Sequence, residues 1–345
     1  MNKNRIRQTK NVLINNKLRI AITNQCNLSC SYCHNEGQSL FEPSRFLSLD
    51  YIKTMVKWFI AHDVFIERLS ITGGEPLLHP DVIKIIHELK KVTEKLLINT
   101  NGLLLTKELL DMFLEQNISL KIGVDSIVSE QTKPSVCAIP KSVDRLISVI
   151  KYAVSNGNEI IFNAVFSEFN CKNIDVLIEW AIKENVRGVK VIKQNDFDSR
   201  RLGNKDNIAD KHKTNQIERD LFFDLREKYI SRSWSYSNYP YRGKIIVFLR
   251  QDDGTDFEIS FYDDVCSAGA CANTYTTIDS CGNLMVCPKY QITTPVDFRK
   301  DFETVTTFIM NAKDRMCDSS KNRFDLKNNN SIIGQMSLKQ PLKKQ

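Results

Sequence analysis

Three cysteines lie within eight residues, Cys26, Cys30 and Cys33, directly after the alternating run Leu18–Thr23. Thiolates are the preferred ligands of iron–sulfur clusters, and the C-x3-C-x2-C spacing lets one loop reach three irons of a cubane. The next cysteine is Cys137, so the fourth iron would stay open for another ligand, as a catalytic cluster requires. A zinc site or unligated thiols are the alternatives, although zinc motifs usually come as pairs of closely spaced ligands.

A second candidate for ligand binding is the run Gly73-Gly74-Glu75-Pro76, which follows a short apolar stretch. Paired glycines allow the backbone to approach a ligand closely, and the Glu75 carboxylate could hold a cationic amine. The run taken alone is equally consistent with an ordinary β-turn.

A second cysteine set, Cys266, Cys271, Cys281 and Cys287, surrounds a predicted hairpin near the end of the chain. Its expected strands are Tyr275–Ile278 and Leu284–Val286. Four soft ligands around a turn suit either a structural zinc ion or an iron–sulfur cluster.

The motif C-x3-C-x-aromatic-C, followed by Gly-Gly-Glu-Pro, resembles the signature of the radical S-adenosylmethionine (SAM) superfamily over about residues 17–290. The resemblance implies a [4Fe-4S] cluster on Cys26, Cys30 and Cys33, with SAM bound at its open iron. It also implies that the Gly-Gly-Glu run binds the SAM amino group and that Tyr32 lies near the adenine. The full set of expected cofactor contacts is Tyr32, Gly73, Gly74, Glu75, Asn101, Ser126 and Asn163.

Within that superfamily the chain is similar to the GTP 3′,8-cyclase group of molybdenum cofactor biosynthesis. The similarity implies an auxiliary domain of the twitch (SPASM-like) type with a second [4Fe-4S] cluster. Its ligands would be Cys266, Cys271 and Cys287, with Cys281 or Cys317 as a fourth. Cys137 and Cys171 match no motif and are expected to be ordinary thiols.

The departures from the cyclase pattern fall on the substrate side. Arg19 matches a family arginine, but Ser70 stands where another is expected, with Arg68 one strand step earlier. Two further arginines are replaced by Asn273 and Tyr275, and the final residues lack a Gly-Gly pair. We therefore expect radical chemistry on a substrate other than GTP, with Arg19 and Arg68 as candidate substrate contacts. GTP cyclisation, maturation of a peptide or natural product, and a non-catalytic zinc scaffold are the alternatives.

Alternating strand and helix patterns must position these residues. Helical periodicity, with apolar residues at i, i+3 and i+4, recurs between β-rich runs from residue 17 to about 230. Such alternation predicts an α/β fold with parallel strands, here a partial (β/α)6 barrel followed by a small α+β hairpin domain for the auxiliary cluster. The candidate residues follow the carboxyl ends of predicted strands, where chemistry collects in parallel α/β folds.

The predicted domains are a basic tail at 1–16, the barrel at 17–230, the auxiliary domain at 231–310 and a basic tail at 311–345. SRSWSYSNYPYRG (231–243) is expected to begin the auxiliary domain as a linker.

Composition favours a cytoplasmic enzyme, because ten cysteines occur in a chain that opens without an apolar signal segment. The net charge of +7 lies mainly in the two ends, which fits solvated tails or attraction of an anionic substrate. Expected partners are a small-molecule substrate, anionic or a nucleotide, and an electron donor such as flavodoxin or ferredoxin. Neither a membrane nor a nucleic acid is expected as a partner.

Overall fold

Parallel strands joined by helices dominate the computed structural model of the chain, as the α/β prediction requires. The structure describes residues 13, 17–30, 32–33, 43–128, 141–194, 216–239, 243–263, 276–287, 292–301, 303–307 and 309. The chain divides into two compact units, with one break after Leu120. In the described residues the first unit comprises 13–120 and 276–309, and the second comprises 121–194 and 216–263.

The first unit begins with three parallel strands and their helices. In chain order these are β1 (Lys17–Ala21), α1 (Leu49–Ala61), β2 (Ile66–Thr72), α2 (Val82–Leu89), β3 (Thr93–Thr100) and α3 (Lys107–Glu115). Leu18 and Ile20 of β1 pair with Leu69 and Ile71 of β2, and all four side chains are fully buried. This apolar register fixes the strands in one alignment, so their carboxyl ends meet at one edge.

Two helices in this unit start at side-chain caps. The Ser48 hydroxyl accepts a hydrogen bond from Tyr51 N (3.2 Å) and starts α1, and Thr106 does the same for α3 through Leu109 N (3.3 Å). α2 begins at Val82, after Asp81.

The hairpin predicted near the end of the chain belongs to the first unit. It consists of β10 (Thr276–Ile278) and β11 (Asn283–Cys287), followed by β12 (Ile292–Pro295). β10 pairs in parallel with β1, so the strand order of this unit is β12-β11-β10-β1-β2-β3. The hairpin therefore extends the sheet of the first unit instead of forming a separate layer.

The second unit repeats the alternation and ends with antiparallel strands. Its elements are α4 (Ser142–Ser155), β5 (Ile160–Phe166), α5 (Ile174–Lys183), β6 (Gly188–Lys193), α6 (Gln216–Arg232), β7 (Ser235–Tyr239), β8 (Lys244–Arg250) and β9 (Asp256–Tyr262). The strand order is β5-β6-β9-β8-β7, with parallel β5-β6-β9 pairing and antiparallel pairing beyond β9. β4 (Ile118–Gly123) carries the break between the two units.

The expectation of a linker at 231–243 is wrong for most of its residues. α6 continues to Arg232, and Ser235–Tyr239 form β7, which pairs with β8. The polar composition of this stretch suggested a linker, but β7 has only one strand neighbour among the described residues, and such strands keep polar side chains.

No helix in the described part of the chain has the length and apolar character needed to cross a membrane.

Candidate functional site

The cysteine loop, residues 26–33, follows the carboxyl end of β1. Cys30 and Tyr32 are buried, and Cys26 and Cys33 are half-buried. Leu28 N donates to Cys26 Sγ at 3.4 Å, and Cys33 N donates to Cys30 O at 3.1 Å. The three thiols are not in disulfides, so they have the oxidation state that a cluster requires.

Hydrogen bonds join the residues just before the cysteine loop to residues 43–45. The Thr23 hydroxyl donates to Arg45 O (2.8 Å), and Arg45 N donates to Asn24 Oδ1 (2.8 Å). Asn24 Nδ2 also donates to Pro43 O at 3.1 Å. This closure could not be predicted from the sequence, because no local pattern at residues 43–46 indicates a partner some twenty residues earlier.

The glycine pair after β2 lies against the start of the cysteine loop. A Cβ atom on Gly73 would lie 2.3 Å from Thr23 O, and one on Gly74 would lie 2.0 Å from Gln25 O. Gly74 N donates to Thr23 O at 2.9 Å. The glycines are therefore required first for backbone contact within the protein, since no other residue fits at this distance.

The Glu75 carboxylate, directly after the glycine pair, is fully buried and accepts three hydrogen bonds from backbone N–H or hydroxyl groups. Its Oε1 accepts from Leu77 N (3.0 Å) and Thr100 Oγ1 (2.8 Å), and its Oε2 accepts from Asn101 N (2.7 Å). Glu75 thus joins the end of β2 to the end of β3. Thr100 precedes the predicted Asn101 and was not among the expected cofactor contacts.

Asn101 brings the end of β3 to the cysteine loop. Its Nδ2 donates to Asn27 Oδ1 at 2.7 Å and lies 3.9 Å from Cys26 Sγ. Three separately predicted stretches, the cysteine loop, the glycine pair with Glu75, and Asn101, therefore meet in the first unit. The carboxyl-end rule for parallel strands accounts for their meeting.

The electrostatics of the loop disfavour a thiolate in the protein alone. Burial raises the pKa of the Cys26 thiol to about 11, and negative charge at Cys33, Glu75 and Cys30 adds to the effect, against a hydrogen bond from Leu28. A metal centre supplies the positive charge that such a thiol needs to ionise.

The chemistry of the three thiols fits an iron–sulfur cluster, for which thiolates are the preferred ligands. In a cubane each thiolate binds a different iron, so the three thiols need not converge on one point.

The remaining predicted site residues are divided between the two units. In the second unit, Ser126 Oγ is buried and accepts from Val128 N (3.0 Å), and half-buried Asn163 lies within β5. In the first unit, Arg19 is buried in β1 between Ser70 of β2 and Thr277 of β10. Arg68 is exposed near the amino end of β2, and the structure does not bring it to the cysteine loop.

The second cysteine set is described only in part. Cys266, Cys271 and Cys317 lie outside the described residues, and for Cys287 the structure gives the backbone position at the end of β11. Cys281 is exposed in the β10–β11 turn, where its Sγ accepts a hydrogen bond from Arg45 Nη1 at 2.7 Å.

The chain is similar in sequence to several known proteins. The sequence profile of the radical SAM superfamily matches residues 20–181. A protein of Methanococcus aeolicus named "Probable GTP 3′,8-cyclase" is 26% identical over 254 residues, which is 70% of this chain and 78% of that protein. A namesake in Pyrococcus horikoshii is 41% identical over 85 residues, 25% of this chain and 26% of that protein. The GTP 3′,8-cyclase of Clostridium perfringens is 30% identical over 177 residues, covering 49% and 52%.

Solved structures share the fold at low identity. SuiB of Streptococcus suis, solved with its precursor peptide SuiA, superposes with a TM-score of 0.57 and 18% identity over 84% of this chain and 64% of SuiB. Native anSMEcpe with bound AdoMet gives a TM-score of 0.58 and 13% identity over 84% and 79%. The chain thus spans about a quarter of the P. horikoshii protein and less than two thirds of SuiB. Residues 20–181 of the chain thus match the domain of the radical SAM superfamily.

Proposed function

We propose that this chain is a radical SAM enzyme that abstracts hydrogen from an anionic small molecule other than GTP. The observation that carries the proposal is the meeting of the cysteine loop, the glycine pair, Glu75 and Asn101 at one edge of the first unit. These residues meet at the carboxyl ends of parallel strands, where such folds bind ligands, which favours a cofactor site over a zinc scaffold.

The three thiols of the cysteine loop would hold a [4Fe-4S] cluster. When bound, the cluster supplies the electron that cleaves SAM to methionine and a 5′-deoxyadenosyl radical. The protein's own part is to close the loop through Thr23, Asn24 and Arg45, and to exclude water around Cys30 and Tyr32.

The residues around the glycine pair would bind SAM. Gly73 and Gly74 would offer backbone groups to its amino group, while Glu75 holds the loop in place through its three hydrogen bonds. Tyr32 would contact the adenine. The further contacts in this proposal are Asn101, Ser126 and Asn163.

A second [4Fe-4S] cluster on Cys266, Cys271 and Cys287 is part of the proposal. Cys281 is a weaker candidate for its fourth ligand than Cys317, because its thiol already accepts the Arg45 hydrogen bond. The electron donor would be a flavodoxin or ferredoxin in the cytoplasm, which fits the reduced thiols of the described cysteines.

GTP cyclisation is the second candidate, and the names of the relatives favour it. The substrate-side departures favour the first candidate: Ser70 replaces an expected arginine, and its hydroxyl accepts from Asn99 Nδ2 at 2.8 Å. Incubation of the reconstituted enzyme with GTP, SAM and reductant separates the two. Formation of a product cyclised at C8 of GTP would establish the cyclase, and its absence beside active SAM cleavage would eliminate it.

The proposed function is tested by anaerobic purification, reconstitution and iron analysis of two variants. Changing Cys26, Cys30 and Cys33 together to Ala should remove about four irons per chain, the content of one cubane, and abolish reductive cleavage of SAM. Cys171→Ala is the matched control, because this half-buried thiol lies in the second unit after β5.

The outcomes are distinct. About eight irons, falling to about four in the triple variant, would support two clusters, and about four falling to none would support the first cluster alone. Zinc in place of iron, or SAM cleavage that survives the triple change, would overturn the proposal.

A further inference from the structure

The strands of the second unit have one face that α5 and α6 do not cover. Phe162 of β5 stacks on Trp180 of α5, and Phe166 meets Phe222 of α6, so the even-numbered β5 residues point toward the helices. Because successive side chains of a strand alternate, Asn163 points to the opposite face.

Strand register places a polar row on that opposite face. Asn163 of β5 pairs with Lys190 of β6, and Lys190 pairs with Ser260 of β9. Two residues further along, Ile192 pairs with Tyr262, which in turn pairs with Lys244 of β8. Paired residues in neighbouring strands lie on the same face, so both lysines belong to it.

Two ammonium groups converge on the ring of Tyr262. Lys190 Nζ lies 5.9 Å from the ring centre and Lys244 Nζ lies 5.1 Å from it. Lys244 also lies 5.7 Å from the ring of Tyr239 in β7. In the part of the chain that the structure describes, neither ammonium forms an ion pair, although both lysines are half-buried.

Two carboxylates of β9 belong to the same face but serve other partners. Asp256 Oδ1 accepts hydrogen bonds from Arg250 Nε at 2.8 Å and from Trp234 Nε1 at 3.0 Å. Glu258 Oε1 accepts a hydrogen bond from the Ser260 hydroxyl at 2.7 Å, and it makes no salt bridge with either lysine. Two partly desolvated positive charges without an acidic partner raise the local potential and favour a bound anion.

We propose that Lys190 and Lys244, whose ammonium groups both lie near the ring of Tyr262, bind the anionic group of the substrate, a phosphate or a carboxylate. Ammonium groups form strong charge-assisted hydrogen bonds with both, and Tyr262 and Asn163 can add neutral ones. The assignment of the anion to the substrate rests on the proposed function. The anion site itself is argued only from residues of the second unit.

The test is a calorimetric titration of the full chain with two probes, inorganic pyrophosphate and succinate, at constant ionic strength. Lys190→Met and Lys244→Met should each weaken binding of the preferred probe by about tenfold, as loss of one charge-assisted contact predicts. Lys193→Met is the matched control: it lies on the same strand but on the helix face, 5.8 Å from the Phe222 ring centre.

Each outcome decides the proposal. Selective binding of pyrophosphate supports a phosphate site, and selective binding of succinate supports a carboxylate site. Binding of neither probe, or equal losses in Lys193→Met, would overturn it. Lys190→Arg keeps the positive charge and should still bind the preferred probe. This variant keeps the proposal testable if a methionine variant fails to fold. The titration needs neither the cluster nor SAM. Failure of the anion site is therefore distinguishable from failure of the proposed radical chemistry.

Discussion

At the residue scale, Gly73 and Gly74 are constrained in different ways. Gly73 has a φ of 146°, in a region that side chains disfavour, and it also faces Thr23 O. Gly74 has no positive φ, so contact with the carbonyl of Gln25 alone excludes a side chain there. Gly74 is therefore the position at which contact can be tested without backbone strain.

We expect Gly74→Ala to displace the start of the cysteine loop, because its Cβ would lie 2.0 Å from Gln25 O. Iron bound after reconstitution should fall severalfold, and the midpoint of thermal unfolding should fall with it. Gly157→Ala is the control: it has a φ of 89° and open space around it, so only strain of about 1–2 kcal/mol applies. Equal iron binding in the wild type and Gly74→Ala would contradict the expectation.

At the element scale, His79 connects the segment after the glycine pair to the segment before α1. Its Nε2 lies 3.0 Å from Leu47 O, and its Nδ1 accepts from Asp81 N at 3.0 Å. An accepting Nδ1 fixes the neutral ring with the proton on Nε2. Burial lowers the pKa of His79, against the opposing effects of Leu47 O and Asp81.

This geometry gives stability a defined pH dependence. In the unfolded chain His79 binds a proton near pH 6.5. In the folded chain the lowered pKa means that His79 binds this proton only at lower pH. The free energy of unfolding should therefore be constant above that range and fall as the pH drops below about 6.5. Denaturant unfolding at a series of pH values between 5 and 8 measures it.

The assignment of this slope to His79 needs two variants. His79→Gln should reduce the slope, while His87→Gln, which removes an exposed histidine of α2, controls for loss of a histidine. A slope that persists unchanged in His79→Gln would assign it to other groups.

At the scale of the whole molecule, residues late in the chain pack against the early helix α1 within the first unit. Phe298 follows β12, is buried, and makes ring contacts with Tyr51, Trp58 and Phe59 of α1. Tyr51 also donates its hydroxyl to Gly282 O at 2.9 Å, in the turn between β10 and β11. The late hairpin is thus held by α1 as well as by β1.

We expect Phe298→Ala to destabilise the protein by about 3–5 kcal/mol, the usual cost of removing a buried aromatic ring. Urea unfolding measures the change, and Phe223→Ala, which removes a partly exposed ring on α6, should cost much less. A loss near that of Phe223→Ala would show that the late hairpin is held mainly by its pairing with β1.

Much of the fold could be predicted from local patterns. Apolar periodicity located helices α1 to α6 and strands β1 to β6 within a few residues, because each element buries one continuous face. β8 and β9 form an antiparallel hairpin around Asp253 and Gly254, a residue pair that is typical of hairpin turns. β7 was missed, because a polar strand with one neighbour has neither the alternation nor the apolar content of a central strand.

The sequence by itself determined the chemistry: the spacing of Cys26, Cys30 and Cys33, and the residue types that follow the strands. Ligand type and spacing are local properties, so they need no fold to be recognised. Only the tertiary structure decided that Glu75 is committed to Thr100 and Asn101. It also decided that Lys190 and Lys244 meet at Tyr262. These contacts depend on strand register, which is set by burial of the whole sheet and is not encoded in any short stretch.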